Sequence, residues 1–127
     1  MKLMAEQPKY IELRPKTFNP DQILIYLDKV DKLFADTEIE YNNVKDQVQE
    51  VFDYVVNERM DNEKISVSLA KVKASNDERY RKVKVELSVN HKMYLYYKIQ
   101  SKLAHSYCEN LKQQSINLIA TEKLTRN

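Results

Sequence analysis

Not one residue of this chain is glycine. Tight two-residue hairpin turns, phosphate-cradling loops and most β-bulges need backbone positions at positive φ, which glycine supplies without steric cost. Asparagine can stand in at isolated sites, but a sheet protein needs many such positions. Long helices with few connections remain, so an all-α fold is expected. The 127 residues are enough for one domain with one modest core.

Residues 1–18 read as an irregular lead-in with Pro8 and Pro15. Tyr10-Ile11-Glu12-Leu13 is either a short extended piece that docks elsewhere or part of a mobile terminus. The helical domain occupies 19–127. Asn19 is a good N-cap, Pro20 fits the first helical position, and Gln22 falls at the capping-box position. Phe18 and Ile23 are spaced for a hydrophobic staple. Downstream, Ile23, Leu27, Val30, Phe34, Thr37, Tyr41, Val44, Val48, Val51 and Val55 recur in alternating steps of four and three. This heptad stripe, weak only at Thr37, predicts a coiled-coil-like helix from Pro20 to about Glu58.

Residues 59–74 form the connection. Ile65-Val67-Leu69 alternate briefly like a strand, while a short helix capped at Ser66 with Leu69, Val72 and Val67 turned inward fits equally well. The second helix is expected over about 76–122, opened by a capping box at Ser75-Asn76-Asp77-Glu78. Its stripe runs through Tyr80, Val83, Leu87, Asn90, Tyr94, Tyr97, Ser101, Ala104, Cys108, Leu111, Ser115 and Leu118. A second stripe, Met93, Leu95, Ile99, Leu103 and Tyr107, widens the apolar face beyond what one partner helix covers. Together these positions predict a long antiparallel helical hairpin. Leu24, Leu33, Phe52, Val56, Leu95, Ile99 and Leu103 are left for a second contact, so a homo-oligomer of hairpins is expected.

Charge is divided along the chain. From Asp21 to Glu63, four Lys/Arg (Lys29, Lys32, Lys45, Arg59) face twelve Asp/Glu, and from Lys64 to Asn127 thirteen face five. An acidic first helix beside a basic second one favours antiparallel pairing, although exposed pairs contribute only ~0–1 kcal/mol each. The single Cys108 makes no internal disulfide. The residues Met1 to Pro8 hold no signal-length apolar run, and no stretch approaches the roughly 18 apolar residues of a membrane span. A cytoplasmic protein without a membrane partner is the expectation.

Catalytic chemistry is thinly represented. His105, Cys108 and Glu109, with His91 earlier on the same helix, fall short of the four paired ligands of a structural zinc site. Cys108 lies on the apolar stripe, where a small buried hydrophobe is expected. Carboxylate pairs such as Glu38/Glu40 and Asp61/Glu63 are two apart and do not face each other on a helix. No Walker, nucleophile-elbow or zinc-helix motif is present, so neither enzyme activity, metal nor cofactor is expected.

The basic cluster carries more functional information. Lys71, Lys73, Arg79, Arg81, Lys82 and Lys84 fall within fourteen residues, offset by Asp77 and Glu78, with Tyr80 among them. Tyr94, Tyr96, Tyr97, Lys92 and Lys98 follow. Cations that track phosphates, interleaved with rings on which bases stack, suit single-stranded DNA. The bland alternative is a solvated basic face with core tyrosines.

The order of these features resembles phage recombination mediators of the UvsY type. The similarity is carried by Leu69-Ala70-Lys71-Val72-Lys73-Ala74-Ser75, Arg79-Tyr80-Arg81-Lys82-Val83-Lys84, Tyr94 through Tyr97, and Leu111-Lys112-Gln113-Gln114-Ser115-Ile116, and it covers most of the chain from Asn19 onward. It departs from the family in placing Tyr96-Tyr97 within the second helix with no Gly-rich turn before it. The resemblance implies a closed, ring-like oligomer that binds single-stranded DNA in a bacterial or phage-infected cell. Such a protein helps load a recombinase onto strands coated by single-strand-binding protein, serving recombination and repair. Lys71, Lys73, Arg79, Arg81, Lys82 and Lys84 would be its DNA contacts. The rival expectation is a helical assembly, scaffold or chaperone-like protein that works through its apolar faces.

Overall fold

The structure is a computed structural model and describes residues 14–126. The possible extended piece at Tyr10 to Leu13 lies outside the described residues. Residues 14–19 carry no regular secondary structure, and the rest is helical: α1 Pro20–Glu63, α2 Val67–Ser75 and α3 Glu78–Arg126. No described helix is long and apolar enough to cross a membrane. The described residues divide into two compact units, one of residues 14–35 and 95–126 and the other Asp36–Tyr94.

In the first unit α1 and α3 pack antiparallel. Asn19 caps α1 as expected, its Oδ1 accepting the N–H groups of Asp21 and Gln22 at 3.1 and 3.2 Å. Tyr26 and Val30 of α1 are buried, as are Tyr97, Ser101, Ala104, Cys108 and Leu111 of α3. Ile23, Leu27 and Phe34 are half-buried on the same seam. Ser101, an apparent flaw in the apolar stripe, donates its hydroxyl to Asp31 at 2.8 Å, so the buried polar group is satisfied. The stripe loses its cover near the end of α3. Leu118 and Ile119 are exposed, and so is Leu103 on the outer side.

In Asp36–Tyr94 Thr37, Val44 and Val55 of α1 are buried, with Tyr41, Val48 and Val51 half-buried. Across from them lie buried Val83 and Met93, with half-buried Tyr80, Leu87, Asn90 and Tyr94. Tyr41 stacks on Tyr94 with centroids 5.3 Å apart. The heptad spacing therefore names the inward face of both long helices.

The connection differs from expectation in three ways. First, α1 runs past Asp61-Asn62 to Glu63 and is ended by Lys64, whose φ is 53° and whose N–H reaches Met60 O at 2.9 Å. A left-handed position closes many helices, and in a chain without glycine it falls on a lysine. Second, the short-helix alternative holds: Ser66 Oγ accepts the Leu69 N–H at 3.2 Å and caps α2. Its inward face, however, is Ala70 and Ala74, both 0% exposed, while Val67, Leu69 and Val72 stand at 48%, 45% and 59%. The two alanines close on Val55 and Val56, flanked by Val51, Phe52, Met60 and Ile65. Val56 and Phe52 are thus covered within the chain and drop out of the residues left for a second copy. Small side chains let α2 approach α1 closely, which Leu69 or Val72 at the contact would prevent.

Third, the cap of α3 falls two residues later than expected, and no capping box forms because Tyr80 stands three residues after it. Ser75 ends α2 and donates its hydroxyl to Lys71 O at 2.9 Å. Asp77 caps α3 instead, Oδ1 accepting the Arg79 N–H at 2.9 Å and the carbonyl accepting the Arg81 N–H at 3.0 Å. A carboxylate there is favoured over a hydroxyl by the helix dipole.

The orientation of α2 is open to test by urea unfolding. Ala70→Leu is expected to overpack the contact and cost about 1–3 kcal/mol. Val72→Ser should stay within about 0.5 kcal/mol of wild type, as exposed substitutions do. The reverse order would contradict this orientation.

Candidate nucleic-acid interface

The six cations of the cluster and Tyr80, expected to meet DNA, lie on α2 and α3, all within Asp36–Tyr94. The structure divides them by what each charge already touches. Arg79 is committed: Nε and an Nη hold the two oxygens of Asp77 at 3.0 Å each, and Nη1 reaches Glu58 at 2.8 Å. Arg59 joins the same carboxylate at 3.2 Å and also meets Glu63 at 3.3 Å. Lys73 pairs with Glu63 in turn. Two acids of α1 and one at the head of α3 are therefore saturated by cations from all three helices.

This network is part of the fold. Asp77 is 8% exposed; the Arg79 guanidinium, the Arg79 backbone N–H and Arg59 hold its carboxyl well below the usual carboxylate range, against the opposing effect of burial. Glu58 is lowered chiefly by Arg79, and Glu63 chiefly by Lys73. Removing the cations around Asp77 leaves a buried carboxylate without its partners, which is destabilising, whereas the more exposed Glu58 and Glu63 pairs are screened by solvent. Lys73 and Arg79 are thus held by carboxylates and are poorly placed to contact phosphate.

Tyr80 is also engaged. Its ring lies against Phe52 with centroids 5.1 Å apart, and Lys84 Nζ sits 5.8 Å from its centroid. Lys82 lines an open cleft of about 440 Å³ together with Glu50, Glu86 and Tyr54, so acids share its surroundings. Residues two apart on a helix point in widely different directions, about 200° around the axis. Lys82 and Lys84 accordingly lie on different flanks of α3.

Lys71 on α2 and Arg81 and Lys84 on α3 are exposed away from that cleft and outside the ion-pair network. Arg81 donates to the neutral side chain of Asn76 at 2.9 Å. Positions i, i+3, i+7 and i+11 share a helix face, which places Arg81, Lys84, Ser88 and Lys92 along one flank. All four are exposed. Lys92 is the cation that a search for dense clusters passes over; its signal is the helical spacing from Arg81. The tyrosines further along are packing residues: Tyr97 is fully buried, with Tyr96 edge-on to it at 5.1 Å.

The first unit holds two other constellations. Asp31 accepts from Ser101 at 2.8 Å and lies 3.0 Å from His105 Nε2. A hydrolytic triad needs serine bonded to histidine and histidine to aspartate; here both partners converge on the aspartate, so the serine is not activated. The second is an open cleft of about 360 Å³ beside Tyr26, Gln100, Ser106 and Asn110. There Arg14 lies 3.6 Å from the centroid of Tyr107, whose hydroxyl donates to Pro15 O at 2.6 Å. These contacts anchor the residues that lead into α1. Burial raises the Cys108 thiol above its ordinary value, which disfavours the reactive thiolate. Among the described residues no three of His, Cys, Asp and Glu gather as a metal site.

Comparison with protein-family models, with curated proteins and with solved structures gives no match for this chain.

The network has a pH signature. Asp77, Glu58 and Glu63 have lowered folded-state pKa values, so their stabilisation is fully present above the unfolded carboxylate range, about 4. It is lost as pH falls through the lower folded values. Wild-type stability is expected to drop steadily below about pH 4. Asp77→Ala should lose about 1–2 kcal/mol near neutrality from the cap alone, and show a shallower acid limb than wild type. Urea unfolding from neutral to acidic pH reads both, and parallel acid limbs would remove Asp77 from this role.

Proposed function

We propose that this chain is a non-enzymatic, self-associating single-stranded DNA-binding protein that serves recombination or repair as a mediator. The strand lies along Arg81, Lys84, Ser88 and Lys92, with Lys71 at one end. One observation carries the reading: after carboxylates have taken Lys73 and Arg79, a flank of exposed cations still runs along α3, with Glu78 at its start. Cations aligned at helical spacing track a phosphate backbone without reading its sequence. The packed tyrosines leave little room for base stacking, so binding is mainly electrostatic and steeply salt-dependent. Loading a recombinase onto strands coated by single-strand-binding protein is the role implied by the resemblance to UvsY-type mediators.

A second reading, a helical assembly or scaffold protein, is favoured by the exposed Val67, Leu69 and Val72 on α2. The two readings separate on nucleic-acid affinity. Fluorescence anisotropy with labelled poly-dT across a salt series is expected to give a log–log slope near −3 per copy, for four cations at about 0.7 each. The Arg81→Glu/Lys84→Glu/Lys92→Glu variant should lose most of that affinity while keeping its helicity. Wild-type protein that fails to bind at low salt would leave the assembly reading in place.

A further inference from the structure

Before α1 the chain doubles back along α3. Asp31 faces Ser101 and His105, so in the antiparallel pair Pro20 stands level with about Gln114, both helices rising equally per residue. Arg14 and Pro15 nevertheless touch Tyr107: the guanidinium lies 3.6 Å from the ring centroid, and the Pro15 carbonyl accepts the tyrosine hydroxyl at 2.6 Å. Leu103 lines the same cleft as Arg14. Followed backwards from Pro20, the lead-in bends at Lys16 and Thr17 and runs toward the start of α3.

Tyr107, Leu103, Ile99 and Leu95 form one row on α3 at steps of four, each step about 6 Å along the axis. The lead-in meets the first; the others are 57%, 55% and 40% exposed. Apolar residues on successive turns make a contiguous patch that calls for cover. An extended chain sends alternate residues to one side and advances about 6.6 Å over two of them, which matches one step of the row. Pro15 is buried between exposed Arg14 and Lys16, so the odd-numbered positions are the ones that face α3. We propose that the Leu95/Ile99/Leu103 row is the docking surface for residues 9–13 of the same chain, with Leu13 seated on Leu103 and Ile11 on Ile99. Lys9 then lays its aliphatic stem on Leu95, and Tyr10 and Glu12 point outward. The inference stands apart from DNA binding, and it leaves self-association to other surfaces.

The test is disulfide trapping in the full chain without DNA, with Cys108→Ala removing the native thiol. Two cysteines bond only where their Cα atoms come within about 7 Å. Leu13→Cys/Leu103→Cys and Ile11→Cys/Ile99→Cys are each oxidised in a glutathione buffer at micromolar protein and read by non-reducing electrophoresis and peptide mass. Both are expected to bond within one chain, and the offset pair Leu13→Cys/Leu95→Cys is expected to stay mostly reduced. Free thiols in the matched pairs or equal bonding of the offset pair would overturn the proposal. Covalent dimers in place of internal bonds would overturn it as well, and would give the row to a second copy. A second measurement leaves Cys108 in place. Ile11→Asp/Leu13→Asp is expected to lower the urea midpoint of the wild-type chain, and an unchanged midpoint would contradict docking.

Discussion

A carboxylate that caps one helix while holding two guanidinium groups leaves the junction of α1, α2 and α3 little freedom. Asp77 accepts the backbone N–H of Arg79, both sides of the Arg79 guanidinium, and an Nη of Arg59 from α1. Each bond constrains a different part of Asp36–Tyr94: the first sets where α3 starts, the second ties Arg79 on toward Glu58, and the third brings in the end of α1. Charge-assisted, bidentate contacts of this kind are roughly twice as strong as neutral hydrogen bonds. The close approach of α2 through Ala70 and Ala74 depends on this arrangement, because nine residues make too short a helix to persist without tertiary support.

The same bonds decide what the basic segment offers to a ligand. A row of cations in sequence looks like one patch, but folding sorts it. Lys73 and Arg79 are neutralised by acids ten and twenty-one positions earlier. Tyr80 is turned onto Phe52, and Lys82 faces a cleft that also holds Glu50 and Glu86. The remainder forms a narrower line of charge that extends to Lys92. Electrostatic contact of that sort gives affinity and speed of encounter without sequence preference.

Much of the fold was legible from residue order. The four-and-three spacing named the inward faces of both long helices, because helical geometry alone decides which positions share a side. Even Thr37, its weakest member, is fully buried. The orientation of α2 was not legible. In Val67–Ser75 apolar residues occur on both sides, and the deciding factor is how closely a small residue lets two backbones approach. The shift of the cap from Ser75 to Asp77 followed from where α2 ends, which sequence fixes only loosely. The division of the cation cluster was hidden for a related reason. Lys73 meets Glu63 only because α1 extends that far before turning at Lys64.

Under the proposed function, Lys73 and Arg79 hold the fold while Arg81 and Lys84 are free to meet nucleic acid. Two double variants test it directly when unfolding free energy and the salt dependence of poly-dT binding are measured on both. Lys73→Gln/Arg79→Gln is expected to lower stability and leave the salt slope unchanged. Arg81→Gln/Lys84→Gln should keep stability within about 0.5 kcal/mol and reduce the slope by about 1.4, at roughly 0.7 per lost phosphate contact. Equal loss of slope in the two variants, with equal stability, would contradict the separation.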